Sequence, residues 1–215
     1  MKDNTLYLAD IDRESFKEGS REVDIVCAGD SITGWNNVGD IANWPFPTYP
    51  QFLQELVNPI DLGVANGGRA GAISGMGIES VKEYLKLFPN SKYFIIGFGS
   101  NDLALPWDLE KKSRDIIGNI DEMVESVLRS EKKPILINVP YVNDPIESHE
   151  DMDYHNQRLN EYCERMKIPL SDICSLLKPE HFGDPLHPNE RGARLIARTV
   201  HAKIVNPLET INRKL

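Results

Sequence analysis

Short apolar runs alternate along the chain with longer amphipathic segments. The short runs are rich in β-branched and aromatic residues and end at turn residues, which is typical of buried β-strands. They predict strands at residues 23–28, 60–65, 93–98 and 135–139, with a less marked fifth strand at 169–173. The longer segments repeat apolar residues at spacings of three and four, which predicts helices at residues 49–57, 78–88, 109–130, 153–166 and 189–204.

This alternation of strands and helices predicts an α/β fold. Successive βαβ units give a mostly parallel, five-stranded sheet with helices packed on both of its faces. The sequence has no internal repeat, low-complexity tract or Pro/Gly/Ser-rich linker, so residues 1–215 are predicted to form a single domain, with residues 1–20 as an N-terminal extension. Segment 34–50 is rich in Asn, Gly, Trp and Pro, which predicts an irregular loop of the kind that often carries function.

Composition and charge narrow the range of partners. The formal net charge of −9 argues against binding to nucleic acid, which requires a basic face, and against docking on an anionic membrane. Three cysteines without C-x-x-C spacing predict neither a disulfide framework nor a structural zinc site, and Cys27 is expected to be a buried apolar residue. With no secretory signal and no apolar stretch of membrane-spanning length, we expect a cytoplasmic protein, and we leave its oligomeric state open.

Four groups of chemically capable residues follow predicted strands or precede the last helix. Ligands of such folds bind beyond the carboxyl ends of the strands, so these groups are expected to converge there. In chain order they are Gly29-Asp30-Ser31, Asn66-Gly67-Gly68-Arg69-Ala70-Gly71, Gly99-Ser100-Asn101-Asp102 and Asp184-Pro185-Leu186-His187.

Ser31 is the candidate nucleophile. A serine at a strand-to-turn junction can direct its Oγ into the crevice and its own N–H at a developing oxyanion. The alternative is an ordinary turn serine that caps a helix. The G-x-S-x-G pattern of α/β-hydrolases is absent, because Thr33 occupies the position of its last glycine.

His187 is the candidate base, and Asp184 precedes it by three residues. In a loop, that spacing lets the carboxylate reach an imidazole N–H, fix the tautomer and stabilise the imidazolium. The alternative is capping chemistry at the start of the last helix. Asn101 is either a turn former or an oxyanion donor, and the glycines of segment 66–71 either form turns or expose a backbone N–H.

Taken together, the four groups resemble the conserved blocks of the GDSL, or SGNH, hydrolases, a family named after its catalytic Ser, Gly, Asn and His. The first block reads G-D-S-I, with Ile32 in place of the usual Leu. The second is similar to N-x-G-x-x-G at residues 66–71, the third to G-x-N-D at 99–102 and the last to D-x-x-H-P at 184–188. The blocks occur in the family's order between residues 29 and 188.

The resemblance implies a three-layer α/β/α sandwich of flavodoxin-like topology and a serine esterase without a metal or organic cofactor. It implies Ser31 as nucleophile, His187 as general base and then acid, and Asp184 as the carboxylate that orients the histidine. The implied oxyanion hole consists of the N–H groups of Ser31 and Gly68 with the side chain of Asn101. The partner would be a small-molecule ester, and Asp30 and Asp102 would be structural.

For the substrate we expect short acyl esters, acetyl above all, of a polar and carbohydrate-like alcohol. The sequence lacks the exposed apolar run that a long-chain lipase needs for a lipid surface. Trp35, Trp44 and Trp107 are expected to border the crevice, where aromatic faces suit sugar rings, and Arg69 to add a polar contact. The alternative is that these tryptophans anchor long loops to the core.

Two other functions remain open on the residues alone. His181, Asp184 and His187 form H-x-x-D-x-x-H, whose side chains suit zinc or iron in a metal-dependent hydrolase. A non-catalytic ligand-binding module on the same fold is the third hypothesis, because fold does not imply function.

Overall fold

The structure is a computed structural model that describes residues 6–7, 22–34, 46–141 and 149–206. The described strands are β1 (Leu6–Tyr7), β2 (Ile25–Gly29), β3 (Val64–Gly68), β4 (Tyr93–Gly97), β5 (Lys133–Ile137) and β6 (Leu170–Ser171). The described α-helices are α1 (Tyr49–Val57), α2 (Ser74–Leu87), α3 (Ser100–Leu103), α4 (Leu109–Arg129), α5 (Glu150–Met166) and α6 (Glu190–Val205). The α/β fold predicted from the sequence is confirmed.

All strands of the sheet pair in parallel, in the order β1-β3-β2-β4-β5-β6. Without the two-residue edge strand β1, this is the five-stranded flavodoxin-like order. The chain runs from β2 outward to β3 and then returns to place β4 on the other side of β2. A crevice therefore opens between the carboxyl ends of β2 and β4, where ligands bind in folds of this kind.

The helices cover both faces of the sheet, because successive strand residues point to opposite sides. Ile25 and Cys27 of β2 pack with apolar residues of α1 and α6 on one face. Val26 and Ala28 pack with residues of α2, α4 and α5 on the other face. The result is the expected three-layer sandwich, and Cys27 is fully buried as predicted.

Several elements differ from the sequence-based expectation, and among them α2 begins four residues earlier than predicted. The chain forms an edge strand at residues 6–7, inside the segment that we expected to be an extension. Residues 58–60 form a 3₁₀ turn, so β3 begins four residues later than predicted and runs through Asn66 to Gly68. The short helix α3, which includes Asn101 and Asp102, was not among the predicted elements. Pairing with neighbouring strands decides the limits of β1 and β3, and local apolar patterns do not carry that information.

No helix in the described ranges is both long enough and apolar enough to cross a membrane.

Candidate active site

Ser31 lies in a tight turn directly after β2, with 7% of its surface exposed. The side chain of Asp30 accepts the N–H of Ile32 at 3.0 Å, and its carbonyl accepts the N–H of Thr33 at 3.1 Å. Gly29 must lack a side chain here, because a Cβ would lie 2.1 Å from Oγ1 of Thr33. We find no acceptor for the N–H of Ser31 among the described residues, so this donor is available to a ligand.

The Asp30 carboxyl group lies buried beneath this turn. Burial raises its pKa to about 7, and the nearby Asp102 adds to the rise, whereas the N–H of Ile32 and the hydroxyl of Ser100 oppose it. A sizeable fraction of Asp30 is therefore neutral at pH 7, which weakens the negative field that it projects onto the neighbouring Ser31.

His187 lies in a loop before α6 that several hydrogen bonds hold in place. Oδ1 of Asp184 accepts the N–H groups of Leu186 at 2.7 Å and His187 at 2.6 Å. The carbonyl of His187 accepts the N–H of Gly183 at 2.9 Å, which closes the loop. Asn189 caps α6 through its own side chain. Asn189 therefore caps the helix, and Asp184 instead holds the loop and the ring of His187.

Ser31 and His187 are 156 residues apart in the chain, and the fold brings them into contact. Oγ of Ser31 lies 3.0 Å from Nε2 of His187, and Nδ1 of His187 lies 2.8 Å from Oδ2 of Asp184. A proton on Nδ1 can be donated to Asp184, which leaves the lone pair of Nε2 to accept the Ser31 hydroxyl. This is the geometry of a nucleophile, a base and an orienting carboxylate.

The electrostatics of the pair favour a neutral histidine beside an ionised carboxylate. Burial lowers the pKa of His187 below its usual value, against the opposing effect of Asp184. Burial alone would raise the pKa of Asp184, but hydrogen bonds from His187 and from the backbone outweigh it and lower that pKa. His187 is consequently unprotonated at neutral pH, as a general base must be.

The backbone N–H of Gly68, which was expected to bind the oxyanion, already has an acceptor in the structure. Its N–H donates to Oδ1 of Asn66 at 3.0 Å, inside β3. A Cβ at Gly68 would lie 2.1 Å from the backbone nitrogen of Gly34, so this glycine permits the nucleophile turn to pack against β3. Its N–H is therefore not free to bind an oxyanion here, and sequence reasoning missed this because it placed the whole 66–71 segment beyond the strand.

Gly71, the last glycine of the same block, is exposed and has a backbone N–H that is not used by the fold. It lies in the exposed loop between β3 and α2 with a φ of 74°, a left-handed conformation that glycine adopts without strain. No heavy atom lies within 4 Å of the position that a Cβ would occupy. Its N–H has no acceptor within the described ranges. Gly71 could have been proposed from the sequence, because it is the second glycine of the N-x-G-x-x-G match.

Asn101 is half-buried in α3, next to that loop. Its side-chain amide donates to the carbonyl of Ala72 at 3.0 Å. One N–H of the amide is thus used to hold the side chain, and the second remains available to a ligand. Because Ala72 follows Gly71 directly, the amide of Asn101 lies near the backbone of Gly71.

The residues predicted to contact the substrate lie in different environments. Arg69 is exposed, and its Nη1 lies 3.5 Å from Oγ of Ser80. Trp107 is 57% exposed in the loop after α3, with Nζ of Lys111 5.5 Å from the ring centroid. Trp107 is therefore not an anchor to the core. Trp35 and Trp44 lie outside the described residues.

The three residues of the metal hypothesis do not form a metal site. Nδ1 of His181 accepts the N–H of Lys178 at 2.9 Å, while Asp184 and His187 contact each other. Within residues 22–34, 46–141 and 149–206, no group of three His, Cys, Asp or Glu side chains could hold a metal ion.

Comparisons with known proteins agree with this architecture. Several solved structures share the fold. A member of the lipolytic G-D-S-L family from Veillonella parvula matches with a TM-score of 0.65 and 19% identity, covering 86% of this chain and 99% of that one. A lipase/acylhydrolase from Enterococcus faecalis matches with a TM-score of 0.68 and 20% identity, covering 86% and 96%.

A carbohydrate acetylesterase family member from Sinorhizobium meliloti matches with a TM-score of 0.65 and 15% identity, covering 86% of this chain and 98% of that chain. Among curated protein sequences, none matches this chain. The profile of the GDSL-like Lipase/Acylhydrolase family matches residues 27–195, a span that contains all four blocks. The chain therefore belongs to the GDSL-like lipase/acylhydrolase family and is a carboxylic ester hydrolase.

Proposed function

We propose that the protein hydrolyses esters through an acyl-enzyme formed on Ser31, with His187 and Asp184 completing the catalytic triad. The observation that carries the proposal is the continuous chain of contacts from Oγ of Ser31 through His187 to Asp184, at 3.0 and 2.8 Å. Oγ of Ser31 bonds to the carbonyl carbon while Nε2 of His187 takes its proton. The C–O bond to the alcohol then breaks, and His187 returns the proton to the leaving alcohol.

Water completes the cycle by the reverse sequence of proton transfers. His187 removes a proton from the water, the resulting oxygen bonds to the acyl carbon, and the bond to Ser31 breaks as the serine regains its proton. The acid leaves, and the enzyme returns to its starting state without any change in oxidation state.

For the oxyanion hole, the proposal retains the N–H of Ser31 and the amide of Asn101 and replaces Gly68 with Gly71. The support is the hydrogen bonding of the candidate backbone N–H groups. The N–H of Gly68 is already donated to Asn66, whereas those of Ser31 and Gly71 have no acceptor among the described residues. Preorganised donors of this kind stabilise the charge that develops in the transition state.

The substrate we propose is a short acyl ester, with acetyl preferred, of a polar or carbohydrate alcohol. Exposed Trp107 offers a flat apolar face for a sugar ring. The carbohydrate acetylesterase family member from Sinorhizobium meliloti has the same fold.

The test is a series of p-nitrophenyl esters from acetyl to octanoyl, with acetylated sugars, assayed on the wild type and on Ser31→Ala. We expect Ser31→Ala to lower kcat by about 10⁴-fold or more, the usual cost of removing a catalytic nucleophile. Ser91→Ala is the matched control, because Ser91 is equally buried but lies before β4, at the other end of the sheet.

Near wild-type turnover in folded Ser31→Ala would exclude the serine mechanism. A loss of activity with EDTA that zinc restores would favour the metal-dependent alternative. If octanoyl esters give a higher kcat/KM than acetyl esters, the short-acyl proposal is wrong. The sugar proposal is judged separately by Trp107→Ala, which should lower kcat/KM for acetylated sugars about 3- to 10-fold and leave p-nitrophenyl acetate unaffected.

A further inference from the structure

Asp102 has an unusual set of contacts for a buried carboxylate. Its surface is 9% exposed, and it accepts the N–H of Ser74 at 2.9 Å and the hydroxyl of Ser74 at 2.6 Å. The Ser74 hydroxyl in turn accepts an N–H from Asn119 of α4 at 2.9 Å. No Lys, Arg or His among the described residues forms an ion pair with Asp102. Two donors of Ser74, its N–H and its hydroxyl, and a helix terminus therefore stabilise this carboxylate in place of a cation.

Helix α2 needs such a partner, because its own sequence does not cap it. The N-cap residue is Ile73, which has no polar side chain, and the first turn contains no acidic residue. The first N–H groups of a helix require acceptors, and a negative charge at this end is favourable. Asp102 supplies both from another element, 28 residues further along the chain.

The residue before Asp102 contacts the same loop at a second point. Asn101 donates to the carbonyl of Ala72, and Asp102 holds Ser74, so two consecutive residues of α3 fasten both sides of Ile73. Gly71 directly precedes this fastened segment. The orientation of its N–H relative to the Asn101 amide therefore depends on both attachments.

We propose that Asp102 is a positioning residue for the oxyanion hole, which it acts on by fixing Ser74 and with it the turn that contains Gly71. The inference rests on the proposed ester hydrolysis at Ser31. Asp102 itself does not touch the substrate. A carboxylate suits the position better than an amide, because both of its oxygens accept from Ser74, whereas the NH₂ of an asparagine accepts neither the N–H nor the hydroxyl proton.

The kinetic test uses Asp102→Asn, which keeps the shape of the side chain, with Asp24→Asn as the matched control. Asp24 is also 9% exposed and also accepts a backbone N–H, from Gly63, at the amino end of the sheet. We expect Asp102→Asn to lower kcat about 10- to 100-fold, the order of loss seen when a residue that orients a functional group is changed. KM should stay within about threefold, because the oxyanion exists only in the transition state. Asp24→Asn should leave kcat unchanged.

A double-mutant cycle separates positioning from a general loss of stability. Ser74→Ala removes the hydroxyl donor to Asp102, so Ser74→Ala combined with Asp102→Asn should lower kcat no further than the more damaging single change. Multiplicative effects of the two changes on kcat would overturn the inference. So would a fall in kcat for Asp24→Asn equal to that for Asp102→Asn.

Hydrogen exchange tests the positioning without any turnover. Amides of residues 69–76 should exchange faster in Asp102→Asn than in the wild type, while those of α6 keep their rates. Unchanged exchange at 69–76 would overturn the inference. If the wild type hydrolyses no ester at all, the proposed function fails, and the exchange result still decides whether Asp102 holds this turn.

Discussion

The two ends of the parallel sheet use left-handed backbone for different purposes. At the amino end, Asp61, Glu131 and Lys167 have φ values of 54, 60 and 56°, and each lies where a helical segment ends shortly before a strand. At the carboxyl end, the residues with positive φ in the described ranges are Gly71 and Gly99, at 74 and 132°. Ordinary side chains are tolerated where the chain only reverses, and glycine occupies the positions next to the candidate site.

The difference shows where side chains would interfere with chemistry. Glycine is the usual residue for a left-handed helix end, so the three side chains at the amino end are held in place at some cost in stability. At the carboxyl end, a Cβ at Gly99 would lie 3.0 Å from Cγ2 of Val139, whereas a Cβ at Gly71 would meet no heavy atom within 4 Å. Bare backbone there leaves room for substrate and for the N–H groups that we propose to bind the oxyanion.

Buried charge is also handled differently at the two ends. Asp24 at the amino end forms an ion pair with Lys92 at 2.8 Å, and the lysine side chain is 62% exposed. Asp102 at the carboxyl end has no such cation among the described residues, and the neighbouring Asp30 has a pKa of about 7. The amino end therefore pairs its buried carboxylate with a cation, whereas the carboxyl end retains electrostatically costly groups of the kind found at functional sites.

The largest effect in this comparison separates two side-chain amides at opposite ends of the sheet. Asn101→Ala should lower kcat about 100- to 1,000-fold with little change in KM, the usual result of losing one oxyanion donor. Gln54 is the matched control, because its amide donates to Asn58 and Leu62 at the amino end. Gln54→Ala should lower the midpoint of urea denaturation and leave kcat unchanged. Equal losses of kcat in the two variants would remove the functional distinction between the ends.

The next effect is a pH dependence that belongs to the carboxyl end. Only neutral His187 accepts the serine proton, and burial holds its pKa below the ordinary value of 6.5. The kcat/KM of the wild type should therefore be flat near pH 7 and fall about tenfold per unit below that pKa. A midpoint above 6.5 would contradict this assignment.

Variants sharpen the pH test. Asp184 raises the pKa of His187, so Asp184→Asn should move the midpoint to lower pH and also reduce the plateau rate. Asp24→Asn, at the other end of the sheet, should leave the midpoint where it is. A shift of equal size in both variants would point to a change in overall stability instead of a local charge.

The smallest effects are opposite responses of two left-handed positions. Gly99→Ala should lower the free energy of unfolding by about 1–3 kcal/mol, because its φ of 132° suits only glycine. Lys167→Gly should leave the free energy of unfolding unchanged or raise it by less than about 1 kcal/mol. Urea denaturation measures both. A loss of stability in Lys167→Gly as large as that in Gly99→Ala would show that the ends do not differ.

Much of the candidate site could be predicted because its residues follow strands in recognisable order. The blocks around Ser31, Asn101 and His187 could be found from residue type and spacing alone. The choice between Gly68 and Gly71 could not, because it depends on which backbone N–H the side chain of Asn66 occupies. The role proposed for Asp102 could not be predicted either, since its partner Ser74 lies outside the four blocks and begins a different helix.

The sequence by itself determined the α/β class, the position of most helices and the residue types at the strand ends. Apolar periodicity and turn chemistry act over a few residues, so they can be read locally. The tertiary structure alone decided that Ser31 meets His187 across 156 residues and that β3 extends to Gly68. It also decided that the loop with Gly71 lies against Asn101. These contacts follow from strand register and helix packing, which depend on the whole chain.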